Sequence, residues 1–279
     1  MRWKDRRQSQ NVEDRRGIST GAIAGGGLGT LLIVALVWML GGDPQSVIDV
    51  MDNQVAVNPS TMTAEDNERA QFVSVVLGDT EEVWDLLFKQ SGYQYRKPRL
   101  VLYNGAVQSA CGYSGAATGP FYCPADERVY IDLSFYDEMT HKLRASGDFA
   151  FAYVIAHEVG HHVQNLLGTM DQVMAMQNRV SQKDFNQIMV RLELQADFYA
   201  GVWAHHAQKM FDSLEEGDIE EAMGAASAVG DDRLMKQSQG YVIPDAFTHG
   251  TSEQRSRWFM KGYRTGDPDQ GDTFSAKVL

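Results

Sequence analysis

The sequence predicts a mainly helical α+β fold with a small β-sheet, preceded by one transmembrane helix. Three observations carry that expectation: a 23-residue run without charge near the N-terminus, only two later runs that read as strands, and helix-opening signals that recur along the rest of the chain.

The apolar run, Ile18 to Leu40, reads ISTGAIAGGGLGTLLIVALVWML. As a helix at about 1.5 Å per residue it extends roughly 35 Å, enough for a hydrocarbon core of about 30 Å. No A-x-A-like cleavage site follows it, so an anchor over residues 18–41 is expected rather than a signal peptide. Residues 1–16 carry six bases against three acids, whereas Asp43, Asp49 and Asp52 follow the run and no base appears until Arg69. The positive-inside rule then reads residues 1–17 as a basic cytoplasmic tail, with the body on the far side of a single pass. Gly21, Gly25 and Gly29 share one helix face, a pattern that lets a second copy approach as a homodimer.

Residues 42–62 are polar and contain Pro44 and Pro59, and read as a linker to one domain over residues 63–279. Thr63 with Asp66 opens a helix to about Leu77, and Thr80 caps a second to Gln90. Arg99–Tyr103 (RLVLY) and Arg128–Leu133 (RVYIDL) read as strands. Ser134 with Asp137 opens a helix to about Arg144, and Asp148 caps one that runs to Leu167 and stops at Gly168. Ser181 with Asp184 opens a long helix to about Met210. Asp218 with Glu221, then Thr251 with Gln254, open two more.

Composition narrows the function. With 43% apolar and 22% charged residues the chain is globular, not disordered, and 279 residues bury a core without metal or disulfide support. The net charge is −12, and residues 43–279 alone carry 19 bases against 34 acids. That balance excludes a typical nucleic-acid binder. The only cysteines, Cys111 and Cys123, bracket the glycine-rich GYSGAATGPFY, which reads as a loop. A disulfide there suits an oxidising compartment and contributes about 3 kcal/mol in the chain-entropy model; two free buried thiols are the alternative.

Chemistry concentrates in the helix predicted over 148–167, which contains His157-Glu158-Val159-Gly160-His161. Residues i and i+4 of a helix share a face, so both imidazoles reach one ion while Glu158 sits beside it as a general base. Catalytic zinc takes three protein ligands and keeps one position open. The metzincin pattern places its third histidine six residues after His161, where this chain has Leu167, so that class is excluded. The best third ligand is Glu193 on the next long helix, with Asp197 one turn later placed to orient an imidazole. His205 and His206 are further ligand candidates.

The blocks HEVGHHVQ, ELQADFYAG and FTHGTSEQRSRWFMKGY, in this order, resemble the neutral zinc metallopeptidase family of bacterial proteins with one N-terminal membrane segment. The site also resembles that of gluzincin peptidases, which carry Glu-x-x-x-Asp on a second helix and a later Thr-His followed by Arg. The resemblance implies a zincin-like domain with one zinc per chain, and Glu193 as third ligand. It further implies His249 as transition-state stabiliser, Arg255 as partner of Asp197, and a periplasmic domain on a bacterial inner membrane. Gly250 stands where those relatives usually have Pro.

The function expected is a membrane-anchored zinc peptidase acting on peptide or protein substrates; the strand at Val129–Leu133 either aligns an extended substrate by edge pairing or is a buried structural strand. The alternative is a non-catalytic, membrane-tethered protein that keeps zinc as a structural part.

Overall fold

A computed structural model of the chain describes residues 1–17, 62–115 and 118–279. The predicted anchor at 18–41, its glycines Gly21, Gly25 and Gly29, and nearly all of the predicted linker at 42–62 lie outside these residues. Among the described residues no helix is long and apolar enough to cross a membrane.

The fold is α+β and mainly helical, as expected. Strand β1 (Val12–Asp14) is followed by helix α1 (Ala64–Gln90), then β2 (Arg99–Tyr103), β3 (Ala106–Ser109), β4 (Gly112–Gly115), β5 (Phe121–Cys123) and β6 (Arg128–Asp132). Helices α2 (Ser134–His141), α3 (Asp148–Leu166), α4 (Thr169–Met174), α5 (Gln182–Phe211), α6 (Asp218–Ala228), α7 (Asp231–Gln239) and α8 (Ser252–Thr265) complete the chain.

The main sheet has the order β1-β2-β6-β5. β1 and β2 run parallel, as do β2 and β6, while β5 is antiparallel to β6. β6 is therefore interior, flanked by β2 and β5, so of the two readings of Val129–Leu133 the buried structural strand holds and edge pairing does not. Its burial agrees: Val129, Tyr130 and Ile131 are almost inaccessible. The glycine-rich stretch is not simply a loop either, since β3 and β4 form a hairpin and β5 joins the sheet. Cys111 and Cys123 are bonded to each other, tying the residue before β4 to the end of β5.

Helix boundaries show which local signals hold. The capping boxes at Thr63 and Thr251 form in full, each hydroxyl accepting the N3 amide and each N3 side chain returning to the cap. Thr80 does not start a second helix. It is fully buried, its hydroxyl donates to the Leu77 carbonyl, and one helix runs from 64 to 90, because an apolar face continues through Val76, Leu77, Val83 and Trp84. Ser134 is likewise no cap: its amide donates to the Asp132 carboxylate, and α2 ends at His141.

The two longest central helices, α3 and α5, cross in the core with α6 and α8 packed around them. Phe149 of α3 stacks on Trp203 of α5 at 5.8 Å between ring centres, and Tyr153 meets Phe259 of α8 edge to face. Nearly every α3 residue from Phe149 to Gln164 is buried, so the polar side chains inside this run must find partners or a ligand.

Residues 1–17 do not trail away as a tail. β1 adds to the sheet edge at β2, with Leu100 N–H donating to the Asn11 carbonyl and Arg15 N–H to the Leu102 carbonyl. Trp3 packs edge to face on Phe72 of α1. The sequence reading missed β1 because its three residues, Val-Glu-Asp, carry no strand-like alternation.

Candidate metal centre

The close crossing of α3 and α5 brings the predicted residues together. A Cβ built at Gly160 would stand 2.9 Å from the Ala196 carbonyl oxygen, so any larger residue would hold the two helices apart. At this separation Glu193 reaches both histidines. His157 Nε2 lies 3.3 Å from Glu193 Oε2, and His161 Nε2 lies 3.4 Å from Glu193 Oε1. One donor atom from each of His157, His161 and Glu193 lies within 4.8 Å of the other two, and all three residues are about 8% exposed or less.

The opposite ring nitrogens are both engaged. His157 Nδ1 lies 2.8 Å from Asp197 Oδ1, and His161 Nδ1 lies 2.8 Å from Gln164 Oε1. With Nδ1–H donating outward to these oxygens, a neutral imidazole at either position would present its Nε2 lone pair to the shared centre. Gln164 is itself fixed, its amide donating to the Leu192 carbonyl and to Gln195. Two imidazoles and a carboxylate converging on one point, with tautomers set from behind, fit zinc by number and type of donor. Glu158 is 8% exposed beside them, and its carboxylate takes no hydrogen bond from any described residue.

Asp197 is fully buried and its charge is matched on two sides. Arg255 Nε reaches Oδ2 at 2.8 Å and an Arg255 terminal nitrogen reaches Oδ1 at 3.0 Å, the pairing that the resemblance implies. Tyr153 adds its hydroxyl to Oδ1 at 2.5 Å. Burial opposes charge on Asp197, yet Arg255 and His157 outweigh it and hold the carboxyl below its usual range. Burial opposes charge on Glu193 too, and the His161 and His157 imidazoles hold it well below the ordinary value. Burial also disfavours charge on His157, but Asp197 and Glu193 push it up to about 10.

His249 approaches from the loop before α8. Asp231 at the start of α7 organises that loop: one oxygen accepts the amides of Thr248, His249 and Gly250 at 2.7–3.0 Å, and the other lies 3.2 Å from His249 Nδ1. The Asp231 contact, against the opposing effect of burial, raises the His249 pKa, with the charge of Glu193 adding to it. Gly250 has φ +93° and donates its N–H to Asp231. Proline has neither that φ nor an N–H, so the departure from Pro at this position is a requirement of this turn. Asp231 itself escaped the sequence reading, because an Asp-Asp pair after Gly230 reads locally as a helix start and nothing in the chain order ties it to residues 248–250.

Other histidines are used elsewhere. His162 Nδ1 faces the Tyr122 hydroxyl and its Nε2 the Arg96 carbonyl. His205 bonds the Tyr263 carbonyl and His206 the Gly266 carbonyl, so neither candidate is brought to the centre. A second acidic group, Asp148, Asp218 and Glu221, lies against the Met1 ammonium at 2.6 Å from Asp148 and contains no histidine.

The fold and this donor set define a class that the comparisons bear out: the chain belongs to the family described as "Putative neutral zinc metallopeptidase", whose model matches residues 1–274. Among individual proteins it is 49% identical over 288 residues to "Uncharacterized protein YpfJ" of Escherichia coli K12, covering the whole of both chains. It is 39% identical over 258 residues to "Uncharacterized protein Rv2575" of Mycobacterium tuberculosis, covering 86% of each. No solved structure matches the chain.

Removing the third donor tests the centre directly. Glu193→Ala is expected to weaken zinc binding severely, read as zinc per chain after dialysis against a weak chelator. Retention of a full equivalent would place the third ligand elsewhere.

Proposed function

We propose that this chain is a zinc-dependent peptidase of the gluzincin type, cleaving peptide bonds within peptide or protein substrates. The observation that carries the reading is the three-donor set: structural zinc sites are usually closed by four protein ligands, whereas the described residues bring only His157, His161 and Glu193 together, beside a Glu158 that none of them bonds. Zinc held by these three residues would supply a Lewis acid and would make water in the site more acidic.

The chain's own residues do the rest. Glu158 accepts the proton of the attacking water and returns it to the leaving amine, a role open to it because nothing described competes for its carboxylate. Asp197 and Gln164 keep both imidazoles in the tautomer that presents Nε2. Arg255 and Tyr153 hold Asp197 in place. His249, oriented by Asp231, donates to the oxyanion as the carbonyl carbon becomes tetrahedral.

An extended substrate has to pair elsewhere than at β6, and β5 is the sheet edge beside α3. The Cys111–Cys123 bond supports a domain exported to an oxidising compartment, and the apolar run at 18–41 supports attachment to a bacterial inner membrane.

The test is hydrolysis of a broad peptide panel by the zinc-loaded protein, lost on chelation and restored by zinc. A zinc-loaded protein that cleaves nothing would leave the non-catalytic reading. Within an active enzyme, His249→Ala is expected to keep zinc and KM while kcat falls about 100- to 1,000-fold, the usual cost of one oxyanion donor. Unchanged kcat at equal zinc content would remove His249 from the mechanism.

A further inference from the structure

Residues 1–17 complete the buried electrostatics of the domain. Glu81 of α1 is 1% exposed, and its carboxylate is met by the Ser9 hydroxyl at 2.5 Å, the Asn11 amide at 2.7 Å and Arg7 at 3.1 Å. Among the other described residues, only Lys97, at 3.7 Å, pairs with it. Asp79, also buried, is paired with Arg6 at 2.6 Å. Without the segment, α1 would hold one buried carboxylate without a partner and another with a single distant one, and an uncompensated buried charge is strongly destabilising.

Shape agrees with charge. A Cβ at Gly78 would stand 3.0 Å from the Arg7 carbonyl oxygen, so this turn of α1 lacks a side chain where the segment crosses it. Ser74 and Ser9 exchange hydrogen bonds at the same crossing, and β1 then satisfies the edge of β2. The segment ends where α1 begins: Arg16, itself buried, donates to the Asp66 carbonyl at 2.7 Å and to Asn67 at 3.3 Å. The end of the segment is therefore tied by the Arg16 side chain to the first turn of α1.

We infer that residues 1–17 and residues 62–279 lie on the same side of the membrane. A single crossing between Gly17 and Met62 would put Arg6, Arg7, Ser9 and Asn11 on the opposite side from Asp79 and Glu81, and both arrangements cannot hold for one chain. The charge asymmetry that predicts a cytoplasmic tail has another explanation: of the six bases in residues 1–16, Arg6, Arg7 and Arg16 are consumed by the domain's acids and carbonyls or by Asp14. This inference does not depend on the chain being a peptidase.

The test uses the full chain in cells. Gln8→Cys and Gln237→Cys, both at exposed positions, are made separately and treated with a membrane-impermeant maleimide in spheroplasts, before and after permeabilisation. The unsubstituted chain gives the background of its bonded Cys111 and Cys123. The two positions are expected to respond alike, both labelled before permeabilisation or both only after it. Labelling of one before and the other only after would overturn the inference, whichever compartment holds the domain. In purified full-length protein, Asn11→Ala should lower the unfolding temperature by at least about 3 °C, as loss of a hydrogen bond to a buried charge requires. An unchanged unfolding temperature would show that the segment is not seated on Glu81.

Discussion

Replacing Glu158 by Gln is expected to abolish most peptide hydrolysis while one zinc per chain remains bound. The amide keeps the size and shape of the carboxylate but cannot take up a proton, so the loss isolates general-base catalysis. Positioned proton transfer contributes about 10²- to 10⁴-fold, and the fall should appear in kcat with KM nearly unchanged. The neighbouring His157 and His161 keep their outward bonds to Asp197 and Gln164 in this variant, because neither involves Glu158. Activity of Glu158→Gln within a few-fold of the unsubstituted enzyme would assign the base to another group. Loss of zinc in the same variant would instead show Glu158 to be part of the donor set.

The largest effect on stability is expected from Arg255→Ala. Asp197 is wholly inaccessible to solvent, and Arg255 supplies two of its hydrogen bonds and its main counter-charge. Breaking a buried pair from one side costs about 3–5 kcal/mol, which in a chain of this size lowers the unfolding temperature on the order of 10 °C. Asp197 has its pKa lowered in the fold, so its charged form contributes stability above the unfolded carboxyl value of about 3.9, and that contribution fades as pH falls through the folded value. Removing Arg255 raises the Asp197 pKa, so the deficit of the variant should be largest near neutral pH and shrink towards acid. Adding Asp197→Asn to Arg255→Ala should recover part of the lost stability, since a neutral amide no longer needs the guanidinium. If thermal unfolding of Arg255→Ala matched that of the unsubstituted protein, the pairing would contribute nothing to the fold.

Much of the candidate centre was legible because its parts are local in sequence. An i,i+4 spacing puts His157 and His161 on one helix face whatever the surrounding fold, and the same spacing pairs Glu193 with Asp197. Capping boxes at Thr63 and Thr251 are equally local, and they formed in full. Local signals misled where burial competed with them. Thr80 carries a capping side chain, but an apolar face that runs past it keeps α1 continuous. Val12–Asp14 shows no strand pattern, but the free edge of β2 makes a strand of it.

By itself, then, the sequence determined the helical majority, the two strands at 99–103 and 128–132, the helix carrying His157, Glu158 and His161, and the acidic helix carrying Glu193 and Asp197. These follow from periodicity and spacing within one turn or one strand. Only the tertiary structure decided what meets across the chain: Glu193 with both imidazoles, Arg255 with Asp197 in one buried network with Tyr153, Asp231 beneath His249, and the seating of residues 1–17 on α1 and β2. The pairing of Arg255 with Asp197 was expected by resemblance, whereas Asp231 and the N-terminal segment were not. The physical reason is common to all four. A buried charge is costly until a partner from a distant part of the chain reaches it, and which partner does so depends on how helices and sheet pack.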